Sequence, residues 1–158
     1  MLREALDLRY AAVALDGDEL VGLAGFHTDE GSLTGGLDVT GLIQQLGWLG
    51  ATRAALVLSF YERKPATGEL LMDGISVRAD QRGQGVGTRL LHALKQYANE
   101  RGYNQIRLDV IDTNAGARRL YEREGFVPVA DQTFEYLRSV LGFGGSTTMV
   151  WTGNKEPV

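Results

Sequence analysis

The chain contains no cysteine. Disulfide staples and thiolate metal sites are therefore excluded. Its two histidines, His27 and His92, are too few for a zinc centre, so no metal is expected. Neither sign of charge dominates: 16 Lys and Arg against 20 Asp and Glu leave a net −4. That balance argues against a general nucleic-acid binder, which needs a basic face. It is also too small to steer a cationic ligand. Uninterrupted hydrophobic runs are missing as well. The nearest is "GLIQQLGWLGATRAALVLSF", Gly41 to Phe60, whose length would suit a bilayer. Gln44, Gln45 and Arg53 break it, and an arginine at the centre of a span costs about 2.5–3.5 kcal/mol. A buried or half-buried helix pair is the better reading. The opening "MLREALDLRY" carries charges throughout and does not read as a signal peptide. The expected setting is cytoplasmic, with neither membrane nor nucleic acid as partner.

What remains is an ordinary globular composition. The 158 residues are 44% hydrophobic and 23% charged, enough for one domain with a real core. "LREALDLR" reads as a short helix. "YAAVAL" and "ELVGLAGFH" read as strands joined at Asp16-Gly17-Asp18, a strong hairpin signal. "TDEGSLTGGLD" reads as a loop, and an apolar helical region follows at about 38–64, with Gly47 or Gly50 as breaks. "GELLMDGISV", Gly68 to Val77, is a nearly continuous apolar run, predicting a strand buried on both faces. Val86, Leu90, Leu94, Tyr97 and Ala98 recur at helical spacing, and Gly102 fits the cap after the last turn. On the opposite face His92 is expected to be solvated. "QIRLDVI" alternates as a strand does. Asn114 to Glu124 reads as a second helix capped by Gly125, and "FVPVA" and "STTMVWT" as closing strands. This order gives an α/β or α+β sheet with at least one parallel crossover.

The stretch "VRADQRGQGVGTRLL", Val77 to Leu91, places glycines where a helix begins, although glycine is a poor helix former. The first amides of a helix lack intrahelical partners and sit at the positive end of its dipole. A pyrophosphate suits such a terminus, and glycine lets the backbone approach its oxygens. Arg82 adds a charge at the same place. A P-loop would need a lysine after its last glycine, but Gly87 is followed by Thr88 and Arg89. The dinucleotide fingerprint would need a third glycine, where Thr88 or Leu90 stands instead. The pattern that fits is R-x-x-G-x-G, from Arg82 through Gly85 to Gly87.

A second motif follows in "DVIDTNAGARRLYEREGF", Asp109 to Phe126. Asn114, Ala117 and Tyr121 are three and four residues apart, so they share a helix face. A helix cap at Asn114 and a core role for Tyr121 would explain them separately. The two motifs together, in order and at this separation, resemble the GNAT superfamily of acetyl-CoA-dependent N-acetyltransferases. The resemblance covers about 69–129 well and 10–27 more loosely.

It implies an α+β, three-layer fold: a mixed central sheet flanked by helices, here without the usual N-terminal strand and first helix. It implies a single acetyltransferase domain over 1–158, with acetyl-CoA as cosubstrate. The coenzyme contacts it implies are Ile75, Ser76, Val77, Arg82, Gly83, Gln84, Gly85, Val86, Gly87, Thr88, Asn114, Ala117 and Tyr121. The implied reaction is direct attack of an amine on the thioester, with backbone amides near Ile75 to Val77 facing the oxyanion. Tyr121 resembles the tyrosine that serves the leaving thiolate. For the base, Glu69 and Asp73 are both candidates, four residues apart and on one face of a regular strand. His27, at a strand end, reads as a partly exposed histidine, and Trp48 as a packing residue. The acceptor amine is left open, and a homodimer contact is one way to complete the acceptor wall. A non-catalytic acyl-CoA sensor is the main alternative, and an unrelated nucleotide binder a third.

Overall fold

A computed structural model of the chain describes residues 8–32 and 64–153. Leu8–Tyr10 form a 3-10 turn. The rest of the expected N-terminal helix, and all but the last residue of the apolar region at about 38–64, lie outside the described residues. Strands β1 (Ala11–Asp16) and β2 (Glu19–Thr28) form the expected hairpin. The glycine-rich loop begins differently: Gly31–Ser32 (β3) turns back and pairs with His27 and Thr28 at the end of β2. Then come β4 (Glu69–Val77), α1 (Val86–Glu100), β5 (Gln105–Ile111), α2 (Ala115–Arg123) and β6 (Val127–Thr133). A 3-10 turn at Glu135–Leu137, a short α3 (Arg138–Leu141) and β7 (Gly145–Thr152) complete the described chain.

The strands make one sheet in the order β1-β2-β4-β5-β7-β6, with β3 on β2. Every pairing is antiparallel except β4 with β5. That parallel pair is the crossover expected from strand–helix–strand order, and α1 is its helix. The apolar stripe of α1, namely Val86, Leu90, Leu91, Leu94 and Ala98, is buried. It packs on Ala24, Phe26, Leu70, Met72, Ile106 and Leu108, all nearly inaccessible to solvent. On β5 the buried residues are Ile106, Leu108 and Val110, in strict alternation with half-exposed ones. Alternation of this kind places Gln105, Arg107 and Asp109 on the opposite face.

Helix α2 lies beside α1 on the same face. Lys95 Nζ donates to the Glu124 carbonyl at 2.6 Å and lies 3.3 Å from its carboxylate. His92 Nε2 lies 2.8 Å from the same carboxylate. His92 is thus exposed, as expected, yet joined to the end of α2. One expectation is revised here. The β4 run is buried only from Glu69 to Met72 and partly open from Asp73 onward, because β5 leaves its side. In the segment between β6 and β7, an Arg138 guanidinium bonded to Asp112 (2.9 Å) and Glu135 (2.6 Å) ties the turn to the end of β5. None of the described helices is long and apolar enough to cross a membrane.

Candidate active site

Strands β4 and β5 pair only where Glu69, Leu70 and Leu71 face Gln105, Ile106 and Arg107. Beyond Leu71 the strands separate, while β5 stays paired with β7 to its end. The remaining edge of β4 therefore borders a wedge-shaped opening in the sheet. On its other edge β4 still pairs with β2: Gly22 opposite Val77, Leu23 opposite Ser76, Ala24 opposite Ile75. Arg78 N donates to Val21 O at 2.9 Å, which fixes the phase of the antiparallel alternation. Ser76 then points its backbone groups at β2, while Ile75 and Val77 point theirs into the opening. Arg82 Nε donates to Val77 O at 3.2 Å, consistent with that orientation.

The turn after β4 leads to the same opening. Gly83 and Gly85 have φ of 75° and 81°, a left-handed conformation that L side chains rarely adopt. Gly85 is the N-cap of α1, and no side chain caps that terminus. The amides of Val86, Gly87 and Thr88 open the helix and have no intrahelical acceptor. A Cβ built on Gly83 or Gly85 would meet no atom of the described residues within 4 Å. Gln84 is held by its side chain to Asp80 O at 3.2 Å. Gly87 has a different reason to be small: a Cβ there would lie 3.0 Å from Leu120 and 3.8 Å from Ile75. Thus the start of α1, the open edge of β4 and the middle of α2 converge.

Asn114 is the N-cap of α2, its Oδ1 accepting from Ala117 N at 3.1 Å. Asn114→Ala is expected to remove about 1 kcal/mol of stability, read as a melting temperature lower by about 2–4 °C. One turn further on, Tyr121 is 5% exposed, with its ring 5.9 Å from that of Phe126. Burial pushes its phenol up to about 12. Its hydroxyl has no hydrogen-bond partner among the described residues, and it is not among the polar atoms sealed from solvent.

The two carboxylates of β4 have different surroundings. Glu69 is 3% exposed and fully engaged: Arg107 Nη1 lies 3.2 Å from Oε1, and Gln105 donates to Oε2. Asp73 is the extra residue of a β-bulge, since Gly25 pairs with Gly74 but Phe26 pairs with Met72. The bulge carries its side chain to the rim of the opening, where Oδ1 lies 3.3 Å from His27 Nδ1 and Oδ2 has no hydrogen-bond partner among the described residues. Burial raises the Asp73 carboxyl to about 7 and holds His27 below its ordinary value. The contact is a little longer than an ordinary N–H···O bond, and burial penalises charge on both groups. Burial thus works against an ion pair here and favours carboxylic acid against neutral imidazole. His27 is buried, not partly exposed as expected from its position at a strand end. It pairs with Leu71 across β2 and β4, a neighbour two strands away in sequence that no local pattern announces.

The family model described as the acetyltransferase (GNAT) family matches residues 2–126. The chain belongs to that family. Among characterised sequences, it is 38% identical over 78 residues to the mycothiol acetyltransferase of Beutenbergia cavernae, covering 48% of this chain and 26% of that protein. It is 39% identical over 61 residues to the probable N-acetyltransferase camello of Xenopus tropicalis, 39% of this chain and 28% of that one. The chain thus spans only about a quarter of these relatives' lengths. Among solved structures, the ribosomal-protein-S18-alanine N-acetyltransferase of Escherichia coli aligns over 99% of this chain and 80% of its own, at 18% identity and TM-score 0.61. The putative streptothricin acetyltransferase of Bacillus anthracis, solved with acetyl coenzyme A, aligns over 91% of this chain and 62% of its own at 17% identity, also with TM-score 0.61. At such identities these neighbours establish the mixed α+β GNAT fold. Ile75 and Val77 lie on the edge of β4 that borders the opening, Asp73 at its rim, and the turn from Gly83 to Thr88 follows the end of that edge.

Proposed function

We propose that this GNAT domain binds acetyl-CoA along the open edge of β4 and transfers the acetyl group to an amine. The observation that carries the reading is the meeting of two backbone features, the edge at Ile75 and Val77 that no strand pairs among the described residues and the start of α1, which no side chain caps. The residues fit such a ligand. Among the described residues no atom lies within 4 Å of a Cβ built on Gly83 or Gly85, and amides at the positive end of a helix suit a pyrophosphate. Val86, Gly87 and Thr88 supply those amides, and Arg82 sits at the same turn. Gly83 and Gln84 shape the turn, while Asn114 and Ala117 fix the start of α2 beside it.

When bound, acetyl-CoA supplies an acyl group activated as a thioester. The amides of Ile75 and Val77 face the opening and hydrogen-bond the acyl oxygen as charge builds on it. The acceptor amine must first lose a proton. At a pKa of about 10.4 it is only about 0.1% neutral near pH 7.4, a deficit of roughly 4 kcal/mol. The amine attacks as its neutral fraction; Asp73, near 7, is ionised above neutrality and takes the second proton, the one the nitrogen sheds as it bonds to carbon and becomes more acidic. Glu69 does not take this role, because Arg107 and Gln105 already occupy its carboxylate.

Tyr121, at about 12, stays protonated. A thiol ionises near 8.5, so outright transfer from the phenol to the leaving sulfur is uphill by roughly 5 kcal/mol. Tyr121 therefore holds the sulfur by a hydrogen bond and need not give up its proton. Tyr121→Phe is expected to lower kcat about tenfold, the value of one such bond, with acetyl-CoA affinity within about twofold. An unchanged kcat would remove Tyr121 from the mechanism. Release of free thiol from acetyl-CoA with a panel of amines tests the function itself. Binding of acetyl-CoA without thiol release would make the domain an acyl-CoA sensor instead.

A further inference from the structure

The acetyl-transfer steps above use Asp73 but not the histidine beside it. His27 is 7% exposed, and burying a polar ring costs free energy unless its polar atoms find partners. The register of β2 and β4 brings it to Asp73. Phe26 lies opposite Met72 and His27 opposite Leu71. Phe26 and Met72 belong to the core under α1, so His27 and Leu71 point to the other face of the sheet. Asp73 follows two residues after Leu71, a diagonal neighbour of His27 across the antiparallel pair. There His27 Nδ1 stands 3.3 Å from Asp73 Oδ1.

The other charges near this face already have partners or lie in water. Glu69 of β4 and Arg107 of β5 are paired at 3.2 Å. Asp109 of β5 accepts from Thr148 at 2.5 Å. β3 brings no ionisable group, since Ser32 is its residue opposite His27. Asp29 and Glu30, in the turn after β2, are exposed. Among the described residues no lysine or arginine is paired with Asp73, and His27 is. An ionised carboxylate oxygen can only accept. A neutral imidazole facing it therefore carries its proton on Nδ1. Burial disfavours charge on Asp73, and a donor at Oδ1 opposes that effect. The bond strengthens as the oxygen gains charge.

We infer that His27 is a positioning residue for the proton acceptor: its Nδ1–H holds Asp73 Oδ1 and favours the ionised carboxylate. This rests on the acetyltransferase reading above and adds a residue to it. His27→Leu removes the donor and keeps an apolar side chain in its place. The readout is kcat/KM referred to the neutral fraction of the amine, followed against pH by thiol release. Its apparent pKa, near 7 in wild type, is expected to rise by about one to two pH units, the loss of one charge-assisted hydrogen bond. At pH 7 the variant is then at least about fivefold slower, while its alkaline plateau stays within about threefold of wild type. His27→Asn returns an N–H close to the place of Nδ1, and its apparent pKa is expected within about half a pH unit of wild type.

Should His27→Leu fold poorly, the wild-type protein gives the answer directly. Nitrogen NMR at pH 9 is expected to show the His27 ring protonated at Nδ1 rather than Nε2. The opposite tautomer overturns the inference, and so does an unchanged apparent pKa in folded His27→Leu. Equal displacement in the Leu and Asn variants also overturns it, leaving His27 a packing residue. Each of these results leaves acetyl transfer intact. Absence of thiol release by wild type with every amine would instead overturn the acetyltransferase reading, and the ring tautomer is measured without it.

Discussion

Asp73→Asn is expected to lower kcat/KM for the acceptor amine by about 10²–10³ at pH 8, within the usual worth of a general base. The wild-type profile should rise through an apparent pKa near 7, the value to which burial lifts this carboxyl. In the variant that rise should vanish, while acetyl-CoA affinity stays within about twofold. Stability should move the opposite way. A carboxyl whose folded value is raised from an ordinary 3.8 to about 7 favours the fold fully only below about pH 4. That contribution disappears as pH climbs through 7. Asparagine cannot ionise, so the variant should melt higher than wild type at pH 8. The ceiling on this gain is about 4 kcal/mol, at about 1.4 kcal/mol per pH unit. His27, held low by burial, runs the other way. Its contribution is complete above about 6.5 and is lost as pH falls through its folded value. The advantage of Asp73→Asn should therefore be clearest at alkaline pH, where His27 no longer titrates. A variant less active than wild type yet more stable identifies a group kept for chemistry. Lower activity with lower stability would mark Asp73 as structural.

Gly85→Val is expected to raise the acetyl-CoA dissociation constant about 100-fold. The turn suits this test, because a Cβ at Gly85 meets no atom of the described residues within 4 Å. The cost to the free protein is backbone strain at φ 81°, on the order of 1–2 kcal/mol. Any further loss belongs to the ligand. A side chain above the start of α1 would separate a pyrophosphate from the amides, each such charge-assisted bond being worth about 1.5–3 kcal/mol. Titration calorimetry measures the affinity, and thermal melting of the free variant measures the strain. Equal affinity for wild type and variant would place the coenzyme elsewhere.

How far these features could be read in advance depended on the range of the interactions behind them. The hairpin at Asp16-Gly17-Asp18, helix α1 and the capped start of α2 arise from neighbours in sequence, and they lie where periodicity and turn chemistry put them. Asn114 was open between cap and coenzyme contact, and its bond to Ala117 N shows that it caps. The course of β4 was half legible. Its apolar run predicts burial on both faces, which holds only while β5 runs beside it. The separation of the strands, and the bulge that turns Asp73 outward, depend on partners more than thirty residues away. His27 meets Asp73 for the same long-range reason. Glu69 and Asp73 shared a strand face at a spacing of four, and long-range partners distinguish them: Arg107 and Gln105 of β5 at Glu69, His27 of β2 at Asp73. The insertion of β7 between β5 and β6 likewise follows from pairing that no short window contains.

The most direct measurement is thiol release from acetyl-CoA by the wild-type protein, followed from pH 6 to 9 with a panel of amines. Acetyl transfer predicts saturable release that matches acetylated amine one for one and rises through an apparent pKa near 7. Acetyl-CoA left intact with every amine, across the whole pH range, would contradict it.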